Sequence, residues 1–146
     1  MAESQSFKNH TRFDPTFHFT TLPVLLMNIG FSIYYTIKHW PAHHHLGIWW
    51  IVMSFTLLIM AGSARAAAIR AQDRVIRLEE KLRLAALVSP HELAELDSLT
   101  MKQYIALRFA SNPELPELAR RAIREKLDQK QIKQSIMSWR ADDYRV

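Results

Sequence analysis

From Phe17 to Ile37 (FHFTTLPVLLMNIGFSIYYTI) no side chain carries a formal charge, and the same holds from Leu46 to Ala64 (LGIWWIVMSFTLLIMAGSA). Each stretch is about twenty residues long, the length a helix needs to cross a hydrocarbon core about 30 Å thick. After Ala64 the pattern changes, and apolar residues recur at every third or fourth place among charges, the signature of helices with one apolar stripe. This alternation predicts an all-α chain. An N-terminal segment (1–16) leads into a transmembrane hairpin (17–64) with spans at 17–37 and 46–64 and an outer loop at 38–45. The second span continues as an amphipathic stalk helix (65–88), and a small bundle of short helices (89–146) follows.

The second span is the more strongly apolar. Its eight Leu, Ile, Val and Phe residues each favour insertion by about 0.3 to 0.6 kcal/mol. The first contains Asn28 and Pro23, so it gains from inserting together with the second. Counting along both spans places Asn28 near the depth of Ser54 and Thr56, and a side-chain bond across the hairpin follows, worth about 0.6 kcal/mol in lipid. Pro23 predicts a kink, and Gly30 a place of close helix packing. No A-x-A processing site follows Ile37, which argues against a cleaved signal peptide.

Charge orients the hairpin. The net charge is +5, and from Arg65 onward 16 Lys and Arg stand against 12 Asp and Glu, a surplus of +4. Arg65, Arg70, Arg74, Arg77, Lys81 and Arg83 follow the second span, Lys8 and Arg12 precede the first, and the loop between holds Lys38 alone. The excess of basic residues on one side predicts both termini in the cytoplasm and the loop outside. Tyr34, Tyr35, Trp40, Trp49 and Trp50 cluster at the outer level, where amphipathic rings favour the headgroup region.

Beyond the second span, Ala61, Ala64, Ala68, Ala71, Val75, Leu78 and Leu82 are separated alternately by three and four residues, and Ala85 extends the series. That heptad seam, narrow near the membrane and bulkier further out, predicts a packed neighbour: the start of the chain, the C-terminal helices or a second copy. Four capping signals follow, at Ser89–Glu92, Thr100–Gln103, Asn112–Pro113 or Ser111–Glu114, and Asp128–Gln131. Each predicts a helix of ten to fifteen residues. Leu93, Leu96, Leu99, Tyr104, Ile105, Leu107, Phe109, Leu115, Leu118, Ile123, Leu127, Ile132, Ile136 and Trp139 supply a core at helical spacing. Arg120, Arg121 and Arg124 form a basic cluster suited to a solvated face or to anionic headgroups.

Chemistry is sparse. With no cysteine and three glycines, thiolate chemistry, Cys-ligated metals and Gly-rich phosphate loops are excluded, and no nucleotide or metalloprotease motif occurs. No catalytic or cofactor-binding residue is assigned and no cofactor is expected. Basic residues after Arg65 interleave with Ala, Val and Leu rather than with aromatics, which argues against nucleic acid. His39, His43, His44 and His45 are the metal candidates, weakened by Pro41, which interrupts the i, i+4 relation of the first two, and by three adjacent histidines that cannot converge on one ion. A haem between the spans would need a histidine in the second span, and none is there.

The stretches NHTRFDPTFHF, WWIVM, AQDRVIRLEEKLR, QYIALRFASNPELPELARRA and IKQSIMSWR resemble an uncharacterised family of short bacterial two-span membrane proteins, a domain of unknown function. The resemblance covers nearly the whole chain and implies a bacterial cytoplasmic-membrane location, with no activity or site to transfer. It points to the stalk, where Asp73, Arg74, Arg77 and Glu80 are candidates for contacts with a partner or with Arg12 and Asp14. The expected function is a non-enzymatic anchor for a helical interaction module with the lipid bilayer as one partner. The other partner is a second copy through the stalk or a larger membrane complex; the alternatives are an accessory subunit of a transporter or respiratory complex, and metal or haem binding at the loop histidines.

Overall fold

The computed structural model describes Phe7 and residues 14–141. Lys8, His10, Arg12, Asp142 and Asp143 lie outside the described residues. The chain is all-helical, as its pattern predicts, and separates into two compact units, residues 12–69 and residues from Arg70 onward.

In the first unit a π-helical segment, Thr16–Thr21, runs into α1, Leu22–Lys38. Pro23 explains the wide turns before it. Its ring has no N–H to donate and crowds the carbonyl four residues back, and the chain relieves this with i to i−5 bonds, seen where the Leu22 amide donates to the Phe17 carbonyl. After a turn at 39–43, containing a cis Trp40–Pro41 peptide, α2 runs unbroken over 42 residues, His44–Ala85. Helix therefore occupies both ends of the predicted 38–45 loop. The pairs Asp14–Arg65, Asn28–Ser54 and Thr36–Gly47 run in opposite order along the two helices, which makes α1 and the start of α2 antiparallel.

Close packing falls at Gly47, not at Gly30. A Cβ on Gly47 would lie within 2.9 Å of the Cβ and Cγ2 of Thr36, whereas one on Gly30 would meet nothing within 4 Å. Gly30, expected at the close contact, therefore faces open space, and the tight crossing sits beside the 39–43 turn.

The second unit holds the last part of α2 with α3 (Pro90–Glu95), a 3-10 turn (Leu96–Ser98), α4 (Met101–Leu107), α5 (Leu115–Arg124) and α6 (Gln129–Ser135). Full capping boxes open α3, α4 and α6 at Ser89–Glu92, Thr100–Gln103 and Asp128–Gln131. Before α5, Glu114 accepts the Ser111 amide, and the helix starts four residues after Ser111. These helices are six, seven, ten and seven residues long, so only α5 reaches the expected ten to fifteen. The caps mark where helices begin, but each is stopped within two or three turns so that the connections also fold inward.

Leu84, Leu96, Leu99, Tyr104, Leu107, Phe109, Leu115, Leu118, Ile132 and Ile136 form the core with Ala106, Ala110, Ala119 and Ala122; Leu93, Ile123, Leu127 and Trp139 pack at its edge. The alanines permit close approach of the short helices, and Ile105 stays outside the cluster. Gln103 ties two elements together. Its Oε1 accepts the Thr100 amide while its Nε2 donates to the Ala122 and Leu127 carbonyls, which joins the start of α4 to the last turns of α5 and the residues just after it. The segment after α6 is clasped by an antiparallel bridge between Ala110 and Trp139, and Glu114 accepts the amides of Met137 and Ser138.

Candidate functional site

Within the hairpin the polar side chains form one connected ladder. Asn28 Nδ2 donates to Ser54 Oγ at 2.7 Å, and Ser54 donates to the Trp50 carbonyl at 2.7 Å. Ser32 Oγ lies 2.7 Å from the Asn28 carbonyl and 3.1 Å from Ser54 Oγ, so its single proton has two acceptors within reach. Thr36 donates to the Ser32 carbonyl at 2.7 Å. Ser32, Thr36 and Ser54 are all buried. Sequence reasoning named Asn28 and Ser54 but missed Ser32 and Thr36, although Asn28, Ser32 and Thr36 at successive i+4 steps trace one helical stripe. Thr56 does not join them. It is exposed and donates to the Val52 carbonyl of its own helix, so its expected pairing across the hairpin is corrected.

At the other end of the hairpin, Arg65 Nη1 meets Asp14 Oδ2 at 2.9 Å and its guanidinium lies over the Phe17 ring, 4.9 Å from the centroid. Asp14 also accepts the Phe17 amide at 3.1 Å. That backbone bond, reinforced by the Arg65 charge, holds the Asp14 carboxyl below the ordinary carboxylate range. Asp14 is thus joined to Arg65.

The four loop histidines are engaged locally. His39 Nδ1 contacts the Tyr35 carbonyl at 3.0 Å and its ring stacks on Tyr35 at 4.2 Å, while the His44 and His45 rings lie 3.8 Å apart and His44 contacts the Pro41 carbonyl. Among the described residues no group of three or more His, Asp or Glu side chains is placed to hold a metal ion.

In the second unit α2 turns Ile76, Glu80 and Leu84 toward the helices that follow it. Glu80 is only 4% exposed. It accepts from Arg83 Nη1 at 3.1 Å, and Arg83 also donates from Nε to Asn112 Oδ1 at 2.7 Å and from Nη2 to the Ala110 carbonyl at 2.6 Å. Burial raises the Glu80 carboxyl above its ordinary range, and the Arg83 charge opposes the rise. Glu80 is therefore an internal strut, a correction to its reading as a partner contact. Arg77 sits over the Tyr104 ring at 6.0 Å, whereas Asp73 is half-buried and Arg74 exposed.

The heptad seam takes another face. Ala64, Ala68 and Ala71 are exposed and Ala61 half-buried. Val75, Leu78 and Leu82 are 52%, 61% and 64% exposed. Within the second unit the C-terminal helices pack on Ile76, Glu80 and Leu84 of α2 and leave Val75, Leu78 and Leu82 largely uncovered. Val75, Glu79 and Leu82 also border an open groove of about 1000 Å³ lined further by Arg108, Asn112 and Trp139. The basic cluster of α5 is occupied. Arg120 bonds Glu92 at 2.7 Å and Glu117 at 3.0 Å, and Arg121 and Arg124 meet Glu125 at 3.0 and 3.7 Å. These contacts fit a solvated helix face better than a headgroup-binding one.

Two antiparallel helices long and apolar enough to cross a bilayer, followed by a capped helical unit, define a class of small helical protein with the features of membrane association. Only 6% and 11% of the apolar windows of these helices are buried, unlike the core helix of a water-soluble protein. The chain belongs to a family of unknown function, DUF6526, whose profile matches residues 1–146. No curated protein and no solved structure matches it.

Proposed function

We propose that this chain is a non-enzymatic integral membrane protein of the bacterial cytoplasmic membrane, a two-span anchor carrying a helical module that binds another protein chain in the cytoplasm. The observation that carries the reading is the outward display of apolar side chains along both long helices, Phe19, Met27, Phe31, Ile37 and Ile59 among them. In water such a surface invites association, and in lipid it is the ground state. Arg65 at the inner end and the tryptophans Trp40, Trp49 and Trp50, all exposed at the opposite end, support the orientation. The second unit contributes a closed core and an uncovered apolar stripe, the features of a binding module rather than of a reaction site.

Membrane fractionation with an alkaline wash, together with reporters fused after Val146 and inside the 38–45 loop, tests the reading. The chain is expected to stay in the washed pellet, with the C-terminal reporter active only in its cytoplasmic form and the loop reporter only in its external form. Release of the chain by the wash, or the reverse reporter pattern, would overturn it.

A further inference from the structure

The exposed large apolar residues of the second unit are few among those described: Val75, Leu78, Leu82, Leu87 and Met137. Three of the five share one stripe of α2. With Ala71 and Ala85 they follow strict four- and three-residue steps, the spacing at which one helix faces another along a left-handed supercoil. Assigning the heptad puts Val75 and Leu82 at a positions and Leu78, Ala71 and Ala85 at d positions. Val75 at a beside Leu78 at d is the combination of a β-branched residue and leucine that favours two strands, and Leu82 fills the other a position.

The flanking charges select the partner and its direction. On this register Arg74 and Lys81 occupy g positions and Glu79 an e position. In a parallel, in-register pair each g residue faces the e residue five places further along the other helix, and five places beyond Arg74 is Glu79. In an antiparallel pair g faces g and e faces e, which brings like charges together. Neither Arg74 nor Glu79 makes an ion pair among the described residues, whereas Lys81 and Arg83, also on α2, are bound within the unit, to Asp97 and Glu80.

We propose that Val75, Leu78 and Leu82 form the seam of a parallel two-stranded coiled coil with a second copy of this chain, registered by Arg74 of each copy against Glu79 of the other. This rests on the interaction-module reading above and names its partner. Two copies anchored in one membrane by the same hairpin present their α2 helices in the same direction and at raised effective concentration, which suits a seam this short.

The chain has no cysteine, so single cysteines report proximity without background. In the full-length protein, in membranes and again in detergent, Leu78→Cys and Leu82→Cys are expected to give an oxidised species of twice the chain mass, and Arg70→Cys, off the seam at a c position, is not. In the Leu78→Cys background, Arg74→Glu and Glu79→Arg are each expected to lose the linked species, and the double exchange to regain it. Absence of the linked species at both seam positions, equal linkage at Arg70, insensitivity to the single charge reversals, or no recovery in the double exchange overturns the proposal. A linked species of any other mass does so too, by giving the seam to a different protein. Partition of the same variants in the alkaline wash is scored separately: chains released from the membrane that still link through the seam overturn the anchor and leave the coiled coil standing.

Discussion

The Asn28 carboxamide reaches the Ser54 hydroxyl at 2.7 Å, joining α1 and α2 within two runs that carry no formal charge. Ser54 is fully buried, and its oxygen serves Asn28, Ser32 and the Trp50 carbonyl together. A buried polar group stripped of its partner costs more than the bond itself is worth. Ser54→Ala and Asn28→Ala are each expected to destabilise the hairpin by about 0.6 to 2 kcal/mol. Their combination should cost less than the sum, because both remove the same bond. Unfolding of the single and double variants in detergent micelles, followed by circular dichroism, measures the coupling; strict additivity would remove Asn28–Ser54 as a linked pair.

Gly47 and Gly30 offer a paired test of how the two helices meet. Alanine at Gly47 would be forced into Thr36, itself buried and bonded to the Ser32 carbonyl, and overpacking of this kind costs about 1 to 3 kcal/mol. Alanine at Gly30 enters open space and gains up to about 1 kcal/mol of helix propensity. Gly47→Ala should therefore lower the melting temperature in detergent while Gly30→Ala leaves it level or raises it. The opposite order would place the crossing point elsewhere.

Titration separates the buried carboxylate from the surface ones. Glu92 is held below its ordinary value first by the Ser89 amide and hydroxyl and then by Arg120, and Asp97 by its bond to Lys81. Each contributes stability that is complete above its unfolded pKa and lost as pH falls through the lower folded value. Glu80 has the opposite sign. Because burial raises it above 4.5, its contribution is full below that value and declines as pH rises through the folded pKa. Glutamine does not titrate, so the stability of Glu80→Gln minus that of the unaltered chain should increase from pH 4 to pH 7. Thermal melts at several pH values read this difference, and a flat or falling difference would show that Glu80 is not penalised by burial.

Periodicity and capping made the architecture legible. Uncharged runs located both long helices, and Ser89, Thr100 and Asp128 located three helix starts, because an N-cap is a local contract between a side chain and amides three residues away. The lengths of α3, α4 and α6 were not legible, since they are set by where the chain must turn to bury Leu96, Leu99 and Phe109 in one core. The stalk shows the same division. A 3.5-residue pattern announced Val75, Leu78 and Leu82, but nothing local announced that Ile76, Glu80 and Leu84 on another face are the ones the following helices cover. Glu80 read as a partner contact and Arg83 only as an orienting charge, because their burial depends on Asn112 and Ala110, nearly thirty residues further on. Ser32 and Thr36 were within reach, at i+4 and i+8 from Asn28, and were overlooked because hydroxyls carry so little hydropathy signal inside an apolar run.

The end of α5 gives a prediction in which backbone geometry alone decides the outcome. Lys126 has φ of 51°, in the left-handed region, immediately after the helix cap Glu125. Its amide donates to the Ile123 carbonyl at 3.2 Å, and the Leu127 amide donates to the Ala122 carbonyl at 3.0 Å, the two bonds of a Schellman motif that closes a helix. Most helices closed this way use glycine at this position, because an L side chain in that region is strained by roughly 1 to 2 kcal/mol. Lys126 makes no ion pair among the described residues, so its side chain offsets little of that strain. Lys126→Gly is expected to stabilise the second unit by about 1 kcal/mol after the added freedom of the unfolded chain is counted. Glu125→Gly, one residue earlier at φ of −94°, should instead destabilise, because it gains no relief and loses the contacts to Arg121 and Arg124. Thermal melts of the two variants side by side check the assignment, and a stabilising Glu125→Gly with a neutral Lys126→Gly would place the left-handed residue one position earlier.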